Sequence, residues 1–174
     1  WIHHKTAPGE IGDPDSKFLE LPDDTYINGN FQRMSYVEDR RDDICDWLTY
    51  DNKVTDYSSD NICVIQLRGG DYTTGHSMLT PQYYQMAMER MKENNPDIQF
   101  VIVTDDPSTA SKYLPGIPVV GSAVSEEKDP DQKNIGWYKY PGGPVGIDYS
   151  ILNTAKYAII SASTFAFWPI WTNN

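Results

Sequence analysis

Three polar clusters in this sequence carry residue types that do chemistry. Arg68-Gly69-Gly70-Asp71-Tyr72 sets an always-charged guanidinium beside two glycines and a carboxylate. A guanidinium grips two phosphate oxygens at once, and glycines let backbone approach a ligand closely. Asp71 is placed to orient Arg68 or to act as a base. A tight turn with a structural Arg–Asp pair accounts for the same residues equally well. Thr104-Asp105-Asp106 offers paired carboxylates of the kind that hold a divalent ion between phosphates. The plainer alternative is an Asp cap with Pro107 at the first helical position, since adjacent side chains diverge. Ser161-Ala162-Ser163-Thr164-Phe165 brings hydroxyls together with helix N-terminal N–H groups, an anion site backed by the helix dipole. Ser and Thr also serve as plain caps. Asp148 is either a dipole-favoured cap or a reader of a base or sugar hydroxyl. His76 is a candidate general base or a loop histidine, and His3-His4 reads as a tag remnant or solvated terminus.

The elements that must position these clusters alternate. Ile62–Leu67 is a continuous apolar run, as in a strand covered on both faces. Thr80-Pro81 starts a helix that runs through Tyr83, Tyr84, Met86, Ala87, Met88 and Met91 to Asn94-Asn95-Pro96. Phe100–Val103 is a second strand, Ser108–Leu114 a short helix and Val119-Val120 a third strand. A helix from Ile147 to Lys156 feeds a fourth strand at Tyr157–Ile160, and Phe165–Trp171 reads as helical despite Pro169. The Tyr83 to Met91 group and the aromatics Phe165, Phe167, Trp168 and Trp171 read as core. This order is the α/β signature, a Rossmann-like parallel sheet with helices on both faces. Ligands of such sheets sit beyond the carboxyl ends of the strands, where all three polar clusters fall. Before the first strand, residues 1–25 read as an irregular lead-in to a domain at 26–174. Tyr26–Phe31 is a short extended piece, and residues 34–48, with Met34, Val37, Ile44, Trp47 and Leu48, form an amphipathic helix. Residues 121–146 have the length without pattern of a functional or mobile loop.

Composition narrows the functions. Aromatics make up 13% of the 174 residues, with 5 Trp and 12 Tyr, which argues against disorder. The net charge of −11 excludes the basic stripe a nucleic-acid binder needs and disfavours adhesion to anionic lipid. One buried Arg and a helix N-terminus still suffice for an anionic small ligand. No apolar run reaches the roughly 18 residues of a membrane span. Cys45 and Cys63 are too few for a disulfide framework or a structural zinc site and read as two half-buried thiols. With no initiator Met, basic n-region, h-region or Asn-x-Ser/Thr sequon, the compartment leans to the cytoplasm or the membrane periphery. The Golgi lumen requires a removed N-terminal anchor.

The ordered segments resemble the α-1,2-fucosyltransferases of glycosyltransferase family 11. Tyr-Ile-Asn-Gly-Asn-Phe-Gln (26–32) is similar to their Leu-x-Gly-Tyr-Phe-Gln. Val64-Ile-Gln-Leu-Arg-Gly-Gly-Asp-Tyr72 is similar to His-x-Arg-Arg-Gly-Asp-Tyr. Leu79–Met88 resembles Leu-x-x-x-Tyr-Tyr-x-x-Ala, and Phe100–Asp106 resembles Phe-x-x-Phe-Ser/Thr-Asp-Asp. Asp148–Trp168 resembles the family's last motif, which contains Asn-Ser-Thr-Phe-Ser-Trp-Trp. The resemblance runs from about residue 18 to the end. It implies a GT-B architecture of which this chain is the donor lobe. It also implies transfer of fucose from GDP-fucose, with inversion, to a galactose-type hydroxyl of a glycan acceptor, without metal or cofactor. By the same resemblance Arg68 and Asp71 are the candidate catalytic residues, Arg68 holding the diphosphate. Gln66, Asp105, Asp148, Ser163, Thr164 and Phe165 are donor-binding, with Asp148 near the guanine. A fixed Arg and helix N-terminal donors would stabilise the charge that builds on the departing β-phosphate; no residue is identified as the general base.

The departures are specific. Gln66 stands for the motif His, Gly69 for the second Arg, Ala162 for Asn, and Ala166-Phe167-Trp168 for Ser-Trp-Trp. Loss of one charge-assisted contact is worth about 1.5–3 kcal/mol. The Gly-Gly-x-Gly-Asn-Gln motif of the other lobe is absent, which points to a further lobe or partner chain. These departures favour the alternative of a non-catalytic nucleotide-sugar or glycan-binding module. A third reading is a metal-dependent enzyme that uses Asp105 and Asp106.

Overall fold

The computed structural model describes residues 3–5, 26–28, 34, 37–48, 56–74, 78–125 and 145–173. The chain divides into two compact units, residues 1–47 and 48–174.

In the first unit, β1 (His3–Lys5) pairs in parallel with β2 (Tyr26–Asn28). His3-His4 therefore lies in a strand, within a stretch the composition marked as irregular. The expected helix over 34–48 is shorter. A 3-10 turn at Glu38–Arg40 leads into α1 (Arg41–Trp47), and Ile44 is its one buried residue. Trp47 is 75% exposed. Acidic Asp42 and Asp43 in the first turn favour the helix start through the dipole.

The second unit holds the four-stranded sheet. Its strands are β3 (Ile62–Leu67), β4 (Gln99–Thr104), β5 (Val119–Val120) and β6 (Tyr157–Ile160), in spatial order β5-β4-β3-β6 and all parallel. The helices are α2 (Pro81–Asn94), α3 (Pro107–Tyr113), α4 (Val145–Thr154) and α5 (Thr164–Trp171). Strand alternation sorts the core into two layers. Cys63, Ile65 and Leu67 of β3 face Tyr84 of α2 together with Ala110 and Leu114 at α3. Val64 faces Ile151 and Leu152 of α4 and Ala166 of α5 on the other side. The chain therefore steps from β3 outward to β5 with its helices on one face. It then returns to lay β6 on the opposite flank of β3, with α4 and α5 on the other face, as right-handed crossovers require. The reversal point between β3 and β6 is where such sheets place ligands. Both faces are covered, which explains why β3 shows no polar alternation.

Local starts follow the expected signals. Thr80 is extended at φ −75°, ψ 157°, and Pro81 opens α2. Asp106 caps α3 through the Thr109 amide. Several apolar assignments need correction. Met86 is 69% exposed, and Tyr83 lies on the exposed face of α2. On α5 the buried residues are Ala166 and Pro169, while Phe167, Trp168 and Trp171 are half-buried and contact one another with ring centroids 5.2–6.1 Å apart. Cys63 is fully buried, not half-buried, and burial pushes its thiol up to about 12. Neither Cys45 nor Cys63 is in a disulfide. Among the described residues no helix is long and apolar enough to cross a membrane.

Candidate functional site

Because the four strands are parallel, their carboxyl ends open on one rim. Leu67 is paired with Thr104, and Gln66 with both Val103 and Ile160. The residues that follow, Arg68, Asp105 and Ser161, are thus brought level from three separate segments.

Arg68 is held on several sides. Its Nη1 meets Asp105 Oδ2 at 2.5 Å and its Nη2 meets Asp71 Oδ1 at 2.8 Å. The Tyr72 ring lies under the guanidinium, 5.4 Å from its centroid. The Arg68 side chain is 23% exposed, while that of Asp105 is only 6% exposed. Asp105 also accepts from the Gly69 amide at 2.8 Å, so one carboxylate fixes both the loop backbone and the guanidinium. Asp71 therefore orients Arg68, one of the two roles its spacing offered. A long flexible cation is held in one geometry, which lowers the entropy cost of presenting it to a ligand.

Asp105 and Asp106 do not converge on one point. Asp106 takes the Thr109 amide at 3.1 Å, the Thr109 hydroxyl at 2.7 Å and the Ser108 hydroxyl at 2.8 Å. Partial desolvation pushes its carboxyl up, but these hydrogen bonds outweigh that and hold it below the ordinary carboxylate value. The paired-carboxylate metal reading needs both acids on one ion, and this geometry does not supply that.

The β6–α5 loop forms the facing wall. Ser161 donates its hydroxyl to Gln66 Oε1 and its amide to the Gln66 carbonyl, the latter at 3.2 Å. Gln66 is buried, and its side-chain oxygen is engaged inside the fold rather than on the rim. Ser163 stands at the cap position of α5 without a side-chain capping bond, so plain capping does not explain it. Thr164 and Phe165 begin the helix and are exposed. The amides of Thr164 and Phe165 precede the first intrahelical bonds of α5, which Ala166 and Phe167 donate to the Ser163 carbonyl. Arg68 and this helix start therefore border the β3/β6 reversal from opposite sides.

Asp148 stands in the first turn of α4, where the helix dipole favours an acid. It lies inside α4, is buried, and accepts from the Ser122 amide at 2.6 Å and the Ser122 hydroxyl at 2.5 Å. Burial pushes its carboxyl up to about 6, opposed by the Ser122 hydrogen bonds and reinforced by the negative charge of Asp105. Both oxygens are engaged within the fold, so the carboxyl ties the exit of β5 to α4. The preceding Gly121, at φ +86°, is required there because a Cβ would overlap Asp148 Oδ1. A side chain at Gly69 is excluded in a similar way, since its Cβ would lie 2.5 Å from Asp106 Cβ.

His76 lies outside the described residues, as does most of the 121–146 loop. Sequence reasoning missed Gly121 and Ser122 as partners of Asp148, and it missed the tyrosine hydroxyls that fasten β6. Tyr83 Oη donates to the Ile160 carbonyl at 2.8 Å and Tyr72 Oη to the Ala162 carbonyl at 3.2 Å. The glycine at a strand exit was the one local signal available for the first pair.

An alpha-1,2-colitosyltransferase of Escherichia coli is 27% identical over 120 residues, covering 66% of this chain and 37% of its own length. This chain thus spans well under half of that enzyme. No family model and no solved structure matches. The Rossmann-like sheet with its rim of fixed charge is thus that of a distant homologue of a glycosyltransferase.

Proposed function

We propose that this chain is the donor-binding part of an inverting glycosyltransferase that takes its sugar from a guanosine diphosphate carrier, with GDP-fucose as the first candidate, and transfers it to a glycan hydroxyl without a metal. The observation that carries this reading is the placement of Arg68 at the end of β3, fixed by Asp71 and Asp105, across the β3/β6 reversal from the N-terminus of α5. In this reading Arg68 and the first amides of α5 hold the diphosphate from two sides. Both stabilise the charge that grows on the leaving phosphate and are in place before it develops. Ser163, Thr164 and Phe165 border the phosphates and the sugar. The name of the relative sets colitose beside fucose as the transferred sugar. A GT-B partner lobe would supply the acceptor wall and the general base.

The test is calorimetric titration of the chain with GDP-fucose, with GDP-mannose as the control sugar and EDTA in a parallel run. Metal-independent binding is expected, and Arg68→Ala should weaken it at least tenfold, the equivalent of about 1.4 kcal/mol or more. An unchanged dissociation constant in that variant would remove Arg68 from the site. One observation favours a second reading, a binding module without catalysis. Asp71 and Asp105 already engage both terminal nitrogens of Arg68 and compete with a diphosphate for them. Binding of a free glycan together with no response to either nucleotide would select that reading.

A further inference from the structure

Tyr72 touches three parts of the rim at once. Its amide donates to the Gly69 carbonyl at 2.7 Å, which folds the β3 loop back on itself. Its ring covers the Arg68 guanidinium. Its hydroxyl reaches the Ala162 carbonyl, 90 positions along the chain and one residue before the cap of α5. The two walls of the β3/β6 reversal are thereby joined by one side chain. Asp71 and Asp105 fix the edges of the guanidinium and the tyrosine ring lies on its face, an arrangement favourable to a cation.

We infer that Tyr72 is a positioning residue that sets the separation between Arg68 and the N-terminus of α5, and so tunes the site for a diphosphate. This rests on the donor-binding reading above. A diphosphate is a short span. The two groups that hold it must stay at a fixed distance, and strand register alone does not set the loops beyond the strand ends. The Ala162 carbonyl has a short route to α5. Ser163 donates its amide to the Ser161 carbonyl at 2.7 Å, and the Ser163 carbonyl accepts from the amides of Ala166 and Phe167 at 3.2 and 3.1 Å. Release of the Tyr72 hydroxyl loosens this turn and leaves the sheet intact.

The experiment uses the full chain as wild type, Tyr72→Phe and Tyr72→Leu, with amide hydrogen exchange read by residue and GDP binding read by calorimetry. Tyr72→Phe keeps the ring over Arg68 and removes only the tether. It should leave the melting temperature and the exchange of β3 and β4 amides unchanged. It should speed exchange at Ser163, Ala166 and Phe167 by about three- to tenfold and weaken GDP by a similar factor, the loss expected for one neutral hydrogen bond. Tyr72→Leu should weaken GDP further, because the guanidinium also loses its cover. Unchanged exchange at those three amides in Tyr72→Phe overturns the tether. Faster exchange with wild-type affinity for GDP overturns the positioning role while leaving the tether in place. A wild-type chain that binds no GDP overturns the donor-binding reading and the positioning role together, and the exchange measurement then decides the tether by itself.

Discussion

At the exit of β4, Asp105 lies against the Arg68 guanidinium at 2.5 Å and accepts the Gly69 amide. Behind the exit of β5, the equally buried carboxyl of Asp148 meets the amide and hydroxyl of Ser122 instead, and it sits close enough to Asp105 to be repelled by it. Burial disfavours ionisation of Asp148, and two neutral donors offset this only partly, so its carboxyl stands at about 6. One rim thus holds a carboxylate that meets a full positive charge and fixes a cation, and another that meets two neutral donors and fastens a loop to a helix.

Removal of the cation breaks this contrast most severely. Arg68→Ala leaves Asp105 buried beside Asp148 with no countercharge, and a broken ion pair of this kind costs about 3 kcal/mol or more. Urea unfolding at pH 7 should show the loss, and adding Asp105→Asn should recover part of it. Recovery of nothing would mean that Asp105 does not depend on Arg68.

Asp148→Asn sharpens the comparison. The folded carboxyl titrates at about 6 against an ordinary value of 3.8, so the group favours the fold most when protonated. That contribution is complete below about pH 4 and is lost as pH rises from there through 6. An Asn keeps an acceptor for the Ser122 amide but cannot ionise. The variant should therefore gain on wild type by about 2–3 kcal/mol between pH 4 and pH 7. Parallel unfolding curves of the two proteins across that range would exclude the raised carboxyl.

Asp106 gives the smallest effect, with the opposite sign in pH. Hydrogen bonds from Thr109 and Ser108 hold its carboxyl below the ordinary value, so its contribution is present above about pH 4 and is lost as pH falls. Asp106→Ala should cost about 1 kcal/mol, the usual worth of an N-cap, and remove this loss on acidification. Unfolding midpoints at pH 7 and pH 3 measure both.

Much of this architecture was legible because it is local. The unbroken run at 62–67, the Thr80-Pro81 and Asp106-Pro107 helix starts and the alternation of elements gave the parallel sheet. Parallel strands then bring Arg68, Asp105 and Ser161 to one rim without further information. The contacts that decide side-chain roles are long-range. Ser122 and Asp148 are 26 positions apart, and Tyr72 and Ala162 are 90 apart, with no periodicity to mark either pair. Asp148 looked like a cap because it stands near a helix start, yet its partner comes from another strand's exit. Gln66 follows strand alternation into the interior, where its oxygen serves Ser161. In the first unit, β1 lies among polar residues, and a three-residue parallel pairing is too short to show a pattern.

The close packing of Gly69 against Asp106 makes these two positions epistatic. An arginine introduced at position 69 would meet the Asp106 Cβ at 2.5 Å, and Asp106 cannot retreat without releasing the first turn of α3. A second cation at position 69 therefore requires the loop that carries Arg68 to move away from the start of α3. A change at 106 alone costs a cap, whereas a change at 69 alone moves that loop.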